Sequence, residues 1–245
     1  MMLAGKVAMV TGGSGAVGAA IVRVMAREGC RVAYSYHTGA ERAQELAAEL
    51  NAGGAQVRTW PLDVLDAQAS ARLAKTIEEE FGPVDILVNN AGFAQVLPFA
   101  MIEEEDWDRM MDVNVKGMFL VTRAFARGMI RRKRGSIVNI GSLAGVRMLE
   151  VPVHYATAKS AVVGFTLSLA RELGRYSVRV NAVVPGMLTD GVSVNVPAKQ
   201  REEYAHYCAL SRAGEPEEVA ELVAFLASDR AGYINGQAIA VDGGI

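Results

Sequence analysis

Seven short apolar segments, rich in β-branched residues, alternate with longer amphipathic stretches along the 245 residues of the chain. The apolar segments show no polar alternation, which favours strands buried on both faces of a parallel sheet. Parallel neighbours need long crossover connections, and the amphipathic stretches supply them. The pattern therefore predicts an α/β fold with a doubly wound parallel sheet and helices on both faces. The predicted strands are Lys6–Thr11, Arg31–Tyr36, Gln56–Pro61, Val84–Asn89, Ser136–Ile140, Val178–Val183 and Ala238–Val241. The predicted helices are Val17–Glu28, Ala40–Leu50, Ala67–Phe81, Glu103–Met129, His154–Leu173 and Glu217–Ala227.

No internal repeat or linker divides the chain, so we expect a single domain over residues 1–245. One long stretch, Met187–Leu210, fits neither a strand nor a regular helix. Such stretches are uncommon in compact domains unless they have a function. We therefore expect residues 187–210 to form a lid over the substrate.

The charge balance argues against several classes of partner. The chain has 25 Lys and Arg against 27 Asp and Glu, a net charge of −2, which disfavours nucleic-acid binding. The longest uncharged run, Ile86–Ile102, contains Asn89, Asn90 and Pro98 and would span a membrane poorly. The N-terminal residues show no export signal, and the two cysteines lack metal-ligand spacing. We expect a soluble, cytoplasmic protein with no membrane contact and no metal.

A glycine-rich turn, Thr11-Gly12-Gly13-Ser14-Gly15-Ala16-Val17-Gly18, follows the first predicted strand and opens the first helix. Glycines let the backbone approach a pyrophosphate closely, and the N–H groups and dipole of the following helix attract the anion. Such a turn can also be no more than a tight connection. Its position between a strand and a helix favours phosphate binding.

Tyr155 and Lys159 are four residues apart in a predicted helix, so their side chains share one face. A nearby ammonium favours the ionised form of a phenol, whose ordinary pKa is about 10, and brings proton transfer closer to neutral pH. Alone, the pair is typical of an ordinary helix surface. Ser142, at the end of the fifth predicted strand, and Asn114, on the preceding helix, complete a polar set that indicates a catalytic site.

Together these features resemble the short-chain dehydrogenase/reductase family. The features are the spacing of the glycine turn, Asn89-Asn90-Ala91-Gly92, the set Asn114, Ser142, Tyr155 and Lys159, Pro185-Gly186, and the ending Ile234-Asn235-Gly236-Gln237…Val241-Asp242-Gly243-Gly244. The resemblance covers nearly the whole chain, and Ala16 stands where the family has its middle glycine. It implies one Rossmann-type domain that both binds a dinucleotide and carries the catalytic residues.

The resemblance also implies a role for each member of the set. Tyr155 supplies the proton to the substrate, and Ser142 holds the substrate oxygen by a hydrogen bond. Lys159 lowers the pKa of Tyr155 and grips the nicotinamide ribose. Asn114 supports a chain of water molecules that restores the proton.

A dinucleotide cofactor is implied, and the residues after the second predicted strand favour NADP over NAD. The stretch Tyr34-Ser35-Tyr36-His37-Thr38 has no carboxylate that would repel a 2′-phosphate. His37, Thr38 and Arg42 are the candidates to meet that phosphate. The implied cofactor contacts, besides Tyr155 and Lys159, are Gly12, Ser14, Gly15, Ala16, Val17, Gly18, Tyr36, His37, Thr38, Asp63, Val64, Asn90, Ala91, Gly92, Pro185, Gly186 and Thr189.

Within the family, Ser211–Ala220 and the C-terminal segment are most similar to the 3-oxoacyl-[acyl-carrier-protein] reductases. This implies NADPH-dependent reduction of a 3-oxoacyl thioester on an acyl carrier protein, in fatty-acid or polyketide synthesis. Arg131-Arg132-Lys133-Arg134 is either a docking patch for an acidic carrier or a solvated helix end.

Two alternative functions stay open on the sequence alone. The enzyme could act on a small ketone or secondary alcohol without a carrier. The chain could also be a catalytically silent subunit that binds NADP. The resemblance further implies a homotetramer, with a dimer as the next possibility.

Overall fold

The computed structural model describes residues 1–245, apart from the side chain of Asn195. The described residues form one parallel sheet of seven strands in the order β3-β2-β1-β4-β5-β6-β7. The strands are β1 (Val7–Val10), β2 (Arg31–Tyr36), β3 (Val57–Pro61), β4 (Ile86–Asn89), β5 (Gly135–Ile140), β6 (Val178–Pro185) and β7 (Ala238–Val241). The predicted doubly wound parallel sheet is confirmed.

Helices cover both faces of the sheet. They are α1 (Ala16–Arg27), α2 (Ala40–Ala52), α3 (Ala67–Glu80), α4 (Glu104–Met111), α5 (Gly117–Arg132), α6 (Val153–Leu173), α7 (Ala198–Tyr207) and α8 (Pro216–Ala227). The cluster of buried side chains on one face draws on α1, α2 and α8, and the cluster on the other face draws on α3, α5 and α6. The central strands β1 and β4 are wholly buried, which explains their unbroken apolar character.

Local sequence explains where two of the helices begin. The Asp66 carboxylate accepts hydrogen bonds from the backbone N–H groups of Gln68 and Ala69, both at 2.8 Å, and so caps α3. Helix α8 begins with Pro216, and the side chains of Glu215 and Glu218 form a capping box around its first turn. These caps satisfy amide groups that the helices themselves leave unpaired.

Two predicted segments differ from the structure. The prediction of one regular helix over Glu103–Met129 is wrong, because a π-helical turn, Asp112–Lys116, separates α4 from α5. The inserted residue hardly changes the apolar spacing, so periodicity could not show it. The expectation that Met187–Leu210 lacks a regular helix is also wrong, since it contains α7 and a 3₁₀ segment over Gly191–Asn195.

The carboxyl ends of the strands define a crevice. The chain order reverses between β1 and β4, and in open parallel sheets ligands bind at such a reversal. The glycine turn follows β1, and Asn90 follows β4. Ser142 and Gly186 come shortly after β5 and β6, so the sheet brings residues distant in sequence to one edge.

A chain of buried polar side chains lies beneath that edge. The Asn89 amide donates to Thr122 Oγ1 and to Asn139 Oδ1, both at 2.8 Å. The Asn139 amide in turn donates to Thr166 Oγ1 at 2.9 Å. These bonds join α5, β4, β5 and α6 through groups that are too buried to exchange them for water.

We expect Asn139→Ala to lower the free energy of unfolding by about 2 kcal/mol, because it leaves Asn89 and Thr166 with unpaired buried groups. Denaturant titration followed by circular dichroism measures the change. The control Gln44→Ala, on the exposed face of α2, should change it by less than about 0.5 kcal/mol. Equal stability of the Asn139 variant and the wild type would refute a structural role for the chain.

Candidate active site

Helix α6 carries Tyr155 and Lys159 on one face, one turn apart. Lys159 is 8 % exposed, and its Nζ donates a hydrogen bond to the backbone oxygen of Ile140, the last residue of β5, at 3.1 Å. The same Nζ lies 5.8 Å from the centroid of the Tyr155 ring. Packing of α6 against the end of β5 therefore brings the phenol and the ammonium to the crevice.

Ser142 reaches the same place from β5. Its Oγ accepts a hydrogen bond from the backbone N–H of Ala144 at 3.2 Å, at the start of the 3₁₀ turn Leu143–Gly145. A Cβ atom on Gly145 would lie 2.5 Å from the backbone carbonyl carbon of Lys159, and Ser160 Oγ donates to the Gly145 oxygen at 3.0 Å. The turn thus rests directly on the backbone of α6, which fixes Ser142 relative to Tyr155.

Burial shifts the pKa values of both Tyr155 and Lys159. Burial raises the pKa of Tyr155 above its ordinary value, and a hydrogen bond with the Ser142 hydroxyl opposes the rise. Burial lowers the pKa of Lys159 to about 8. The lowering of the Tyr155 pKa by Lys159 stays a prediction, since desolvation of the phenol dominates in the free chain. At neutral pH the phenol is protonated and the ammonium is still mostly charged.

Asn114 joins the group from the π-helical turn. Its amide nitrogen donates to the backbone oxygens of Phe93 and Met110, each at 3.1 Å. Its Oδ1 is buried and has no hydrogen-bond partner among the described residues. A Cβ atom on Gly92 would lie 2.5 Å from this oxygen and 3.8 Å from Lys159 Nζ. The site therefore contains a buried acceptor, close to the ammonium, that a bound water or ligand group can satisfy.

The glycine turn has the close packing that a phosphate-binding loop requires. Gly12 has a φ of +65°, and a Cβ atom on Gly18 would lie 2.1 Å from the Gly12 oxygen. A Cβ atom on Gly13 would lie 2.5 Å from the Tyr34 ring. Helix α1 begins after Gly15, which has no side chain to cap its first amides. These amides face the carboxyl edge of the sheet and fit a pyrophosphate.

Asn90 and Thr11 hold the turn against β4. The Asn90 amide nitrogen donates to the backbone oxygens of Thr11 and Gly12, both at 3.0 Å. Thr11 Oγ1 accepts from the backbone N–H groups of Asn90 and Ala91, also at 3.0 Å. Sequence reasoning did not identify Thr11 or Gly145, because a single Thr or Gly carries no signal of the atoms that approach it.

The loop after β2, residues 37–39, contains no carboxylate, and Glu41 and Arg42 follow it in the first turn of α2. Tyr36 ends β2, and His37 and Thr38 are exposed beyond it. Ser14 Oγ donates to the Thr38 oxygen at 3.4 Å, which connects this loop to the glycine turn. The Arg42 guanidinium folds back towards Gly39, where a Cβ atom would lie 3.3 Å from Nη2. The Arg42 guanidinium thus lies beside the loop that contacts the glycine turn.

The other residues predicted to contact the cofactor are Asp63, Val64, Pro185, Gly186 and Thr189. Asp63 Oδ1 accepts from the Leu65 N–H at 2.9 Å, and the Val64 side chain packs on α5 at Gly117. Pro185 ends β6, so Gly186 stands at its carboxyl end. The Thr189 hydroxyl donates to Glu215 Oε2 at 2.5 Å, its side chain is exposed, and its contact with the cofactor stays a prediction.

Two kinds of feature are absent from the described residues. No group of three or more His, Cys, Asp or Glu side chains in the described part of the chain is placed to hold a metal ion. Among the described helices, none is both long enough and apolar enough to cross a membrane.

The crevice therefore combines a glycine-rich turn at a helix N-terminus with a Ser–Tyr–Lys group whose lysine is buried, which is the arrangement of a Rossmann-type oxidoreductase. A family model described as enoyl-(acyl carrier protein) reductase matches residues 13–245. The 3-oxoacyl-[acyl-carrier-protein] reductase FabG of Thermotoga maritima is 36% identical over 245 residues, which cover 100% of this chain and 99% of that protein.

Solved structures agree with these sequence comparisons. A short-chain dehydrogenase/reductase from Serratia marcescens has a TM-score of 0.92 and 37% identity, covering 100% of this chain and 99% of that one. A blue fluorescent protein from a metagenomic library, solved in complex with NADPH, has a TM-score of 0.91 and 35% identity with the same coverage. The chain belongs to the short-chain dehydrogenase/reductase family.

We expect Gly145→Ala to lower turnover about tenfold or more, because the new methyl group pushes Ser142 away from Tyr155, and small misplacements in a reacting geometry are costly. The matched control is Gly164→Ala in the same helix as Tyr155, where a Cβ atom meets nothing within 4 Å. Initial rates of cofactor oxidation measure both variants. Full activity in the Gly145 variant would show that this close contact does not determine the position of Ser142 relative to Tyr155.

Proposed function

We propose that the protein is an NADPH-dependent reductase that converts the ketone of a 3-oxoacyl thioester, carried on an acyl carrier protein, to a secondary alcohol. The observation that carries the proposal is the position of the Tyr155 phenol beside Ser142 and the buried Lys159 side chain. The printed names of full-length relatives support the substrate class. The complex of a structural neighbour with NADPH supports the cofactor.

The residues divide the work of the reaction. A bound nicotinamide supplies the hydride that reaches the carbonyl carbon. Tyr155 donates its phenolic proton to the carbonyl oxygen, and Ser142 donates a hydrogen bond to the same oxygen, so no free alkoxide has to form. The Lys159 ammonium stabilises the phenolate that the transfer leaves behind. The buried oxygen of Asn114 is positioned to hold a water that returns the proton.

The preference for NADPH rests on charge at the end of β2. The 2′-phosphate carries negative charge that a carboxylate would repel, and residues 34–38 contain none, whereas Glu41 stands next to Arg42 in the first turn of α2. Arg42 supplies a guanidinium that can pair with the phosphate, with His37 and Thr38 beside it. Ser14 and the backbone amides of Ala16 and Val17 would hold the pyrophosphate, close to Gly15, whose own N–H donates to the Gly12 oxygen.

A carrier-independent reductase of small ketones is the second candidate, and the position of the basic patch favours it. Arg131 and Arg132 end α5, whose 16 residues begin beside Asn114 and extend about 24 Å from it, to the opposite edge of the sheet. Glu78 forms ion pairs with both arginines, at 3.5 and 2.8 Å. A carrier docked on this patch could supply the crevice of a second copy, but not that of the same chain.

Association with further copies is part of the proposal, as a homotetramer first and a dimer next. Exposed apolar side chains on three helices support it: Trp107 on α4, Phe119 on α5 and Leu167 on α6 are 37, 44 and 50% exposed. Isolated exposure is ordinary, but three large apolar groups on neighbouring helices favour a covering partner.

The decisive experiment compares NADPH oxidation with an acetoacetyl group on acyl carrier protein, on coenzyme A and in a free ketone of similar size. We expect the carrier-linked substrate to give the highest kcat/KM. If it is the poorest substrate, the carrier assignment is wrong and the second candidate takes its place.

Tyr155→Phe tests the chemistry with the same substrates. We expect turnover to fall by at least about 100-fold, the usual contribution of a general acid, with NADPH affinity within about twofold of wild type. Tyr233→Phe, at a fully exposed phenol, is the control. A wild-type chain that binds NADPH and reduces none of the substrates would indicate a silent cofactor-binding subunit.

We expect Arg42→Ala to raise the KM for NADPH about tenfold, because one charge-assisted hydrogen bond to the phosphate is lost. The KM for NADH, which lacks that phosphate, should change by less than about twofold. Arg171→Ala, in the last turn of α6, should alter neither value. An equal loss with both cofactors would exclude Arg42 as the source of the preference.

A further inference from the structure

Residues 187–210 lie along the carboxyl edge of the sheet, next to the proposed cofactor site. Leu188 pairs with Gly214, and the Leu188 N–H donates to Ser193 Oγ at 3.2 Å. A Cβ atom on Gly191 would lie 3.7 Å from the Cβ of Ala16, the first residue of α1. The segment therefore begins at the exit of β6 and passes over the glycine turn before it enters α7.

Tyr204, on α7, returns to the exit of β6. Its hydroxyl donates to the backbone oxygen of Asp242 at 3.2 Å. A Cβ atom on Gly186 would lie 2.1 Å from the Tyr204 hydroxyl oxygen, so only a glycine at this position leaves room for the phenol. Burial raises the pKa of Tyr204, while a hydrogen bond with the backbone of Met187 opposes the rise. The phenol thus contacts both the Gly186–Met187 turn and the residue that follows β7.

Cys208 fastens the same face of the helix one turn later. Its thiol donates to the backbone oxygen of Gly243 at 3.1 Å, and the Leu210 N–H donates to that oxygen at 3.1 Å. Gly243 has a φ of +68°, and a Cβ atom there would lie 2.5 Å from the Cys208 sulfur. Two side chains four residues apart therefore hold α7 on the segment Asp242–Gly244.

We infer that Tyr204 is a positioning residue that sets the Gly186–Met187 turn for the nicotinamide end of the cofactor by bridging it to Asp242. The inference rests on the proposed function, with Gly186 among the cofactor contacts that the family resemblance implies. The phenol makes the connection between three segments that are far apart in sequence: the exit of β6, α7 and the exit of β7. Without the hydroxyl, the turn and α7 lose their common anchor, and the cofactor has to order them when it binds.

Tyr204→Phe tests the role because it removes the hydroxyl and keeps the ring. We expect the Kd for NADPH, measured by the fluorescence of the bound cofactor, to rise about fivefold, the equivalent of one hydrogen bond. The rate of hydride transfer in a single turnover with saturating NADPH should stay within about twofold of wild type. Tyr207→Phe, on the same helix with a side chain 78% exposed, should change neither quantity. Unchanged affinity, or a lost hydride-transfer rate with full affinity, would overturn the inference.

Trypsin cleavage of the cofactor-free chain provides a readout that does not depend on the proposed function. Lys199 and Arg201 are exposed sites in α7, and cleavage there requires the helix to open. We expect Tyr204→Phe and Cys208→Ala each to be cut about fivefold faster at these sites than wild type or Tyr207→Phe. Equal rates would refute the anchoring. If the wild type does not bind NADPH, the cofactor proposal and the role of Tyr204 towards it both fail, and faster cleavage would then support the anchor alone.

Discussion

A buried ammonium with no carboxylate beside it is the constraint around which this site is built. No carboxylate of the described residues forms an ion pair with Lys159, and a backbone oxygen is its hydrogen-bond partner. Removing such a charge from water is costly, which is why the pKa of Lys159 falls to about 8. Only the packing of α6 on the end of β5 keeps the group there. A bound anion or a phenolate would restore the missing negative charge, so the free chain is arranged to receive one.

The close contacts around the ammonium explain why this region tolerates so little side-chain volume. Gly145 leaves room for the β5 exit to rest on the backbone of α6, and Gly92 leaves room for the Asn114 amide beside Lys159. Below them, the polar chain from Thr122 to Thr166 joins α5 and α6 to β4 and β5. A polar core with fixed partners specifies one arrangement of its elements, whereas an apolar core of equal volume accepts several. The buried polar chain on the strands therefore contributes to the rigidity that proton transfer needs.

The sequence predicted the parts of this structure that depend on repeated burial. Arg31–Tyr36 and Ala238–Val241 have the predicted bounds, and the polar residues after β4 and β5 lie at one edge as parallel strands require. Helix α7 could not be predicted in this way, because Ala198–Tyr207 has no buried residue and hence no apolar period. The π-helical turn and the close contact at Gly145 could not be predicted for a related reason, because each depends on contacts with distant segments. The local sequence pattern determines the helices and strands, whereas the packing between them determines the geometry of the site.

The protonation states of the free chain bear on the direction of the chemistry. Reduction requires a phenol that can give up a proton, and oxidation of an alcohol requires a phenolate that can accept one. Since burial raises the pKa of Tyr155, the phenol is the form present at neutral pH, and the phenolate becomes abundant only at high pH. Above pH 8 the Lys159 ammonium also loses its charge, which removes the group that would stabilise the phenolate. Both effects favour the site as a proton donor near neutrality, the condition that carbonyl reduction needs.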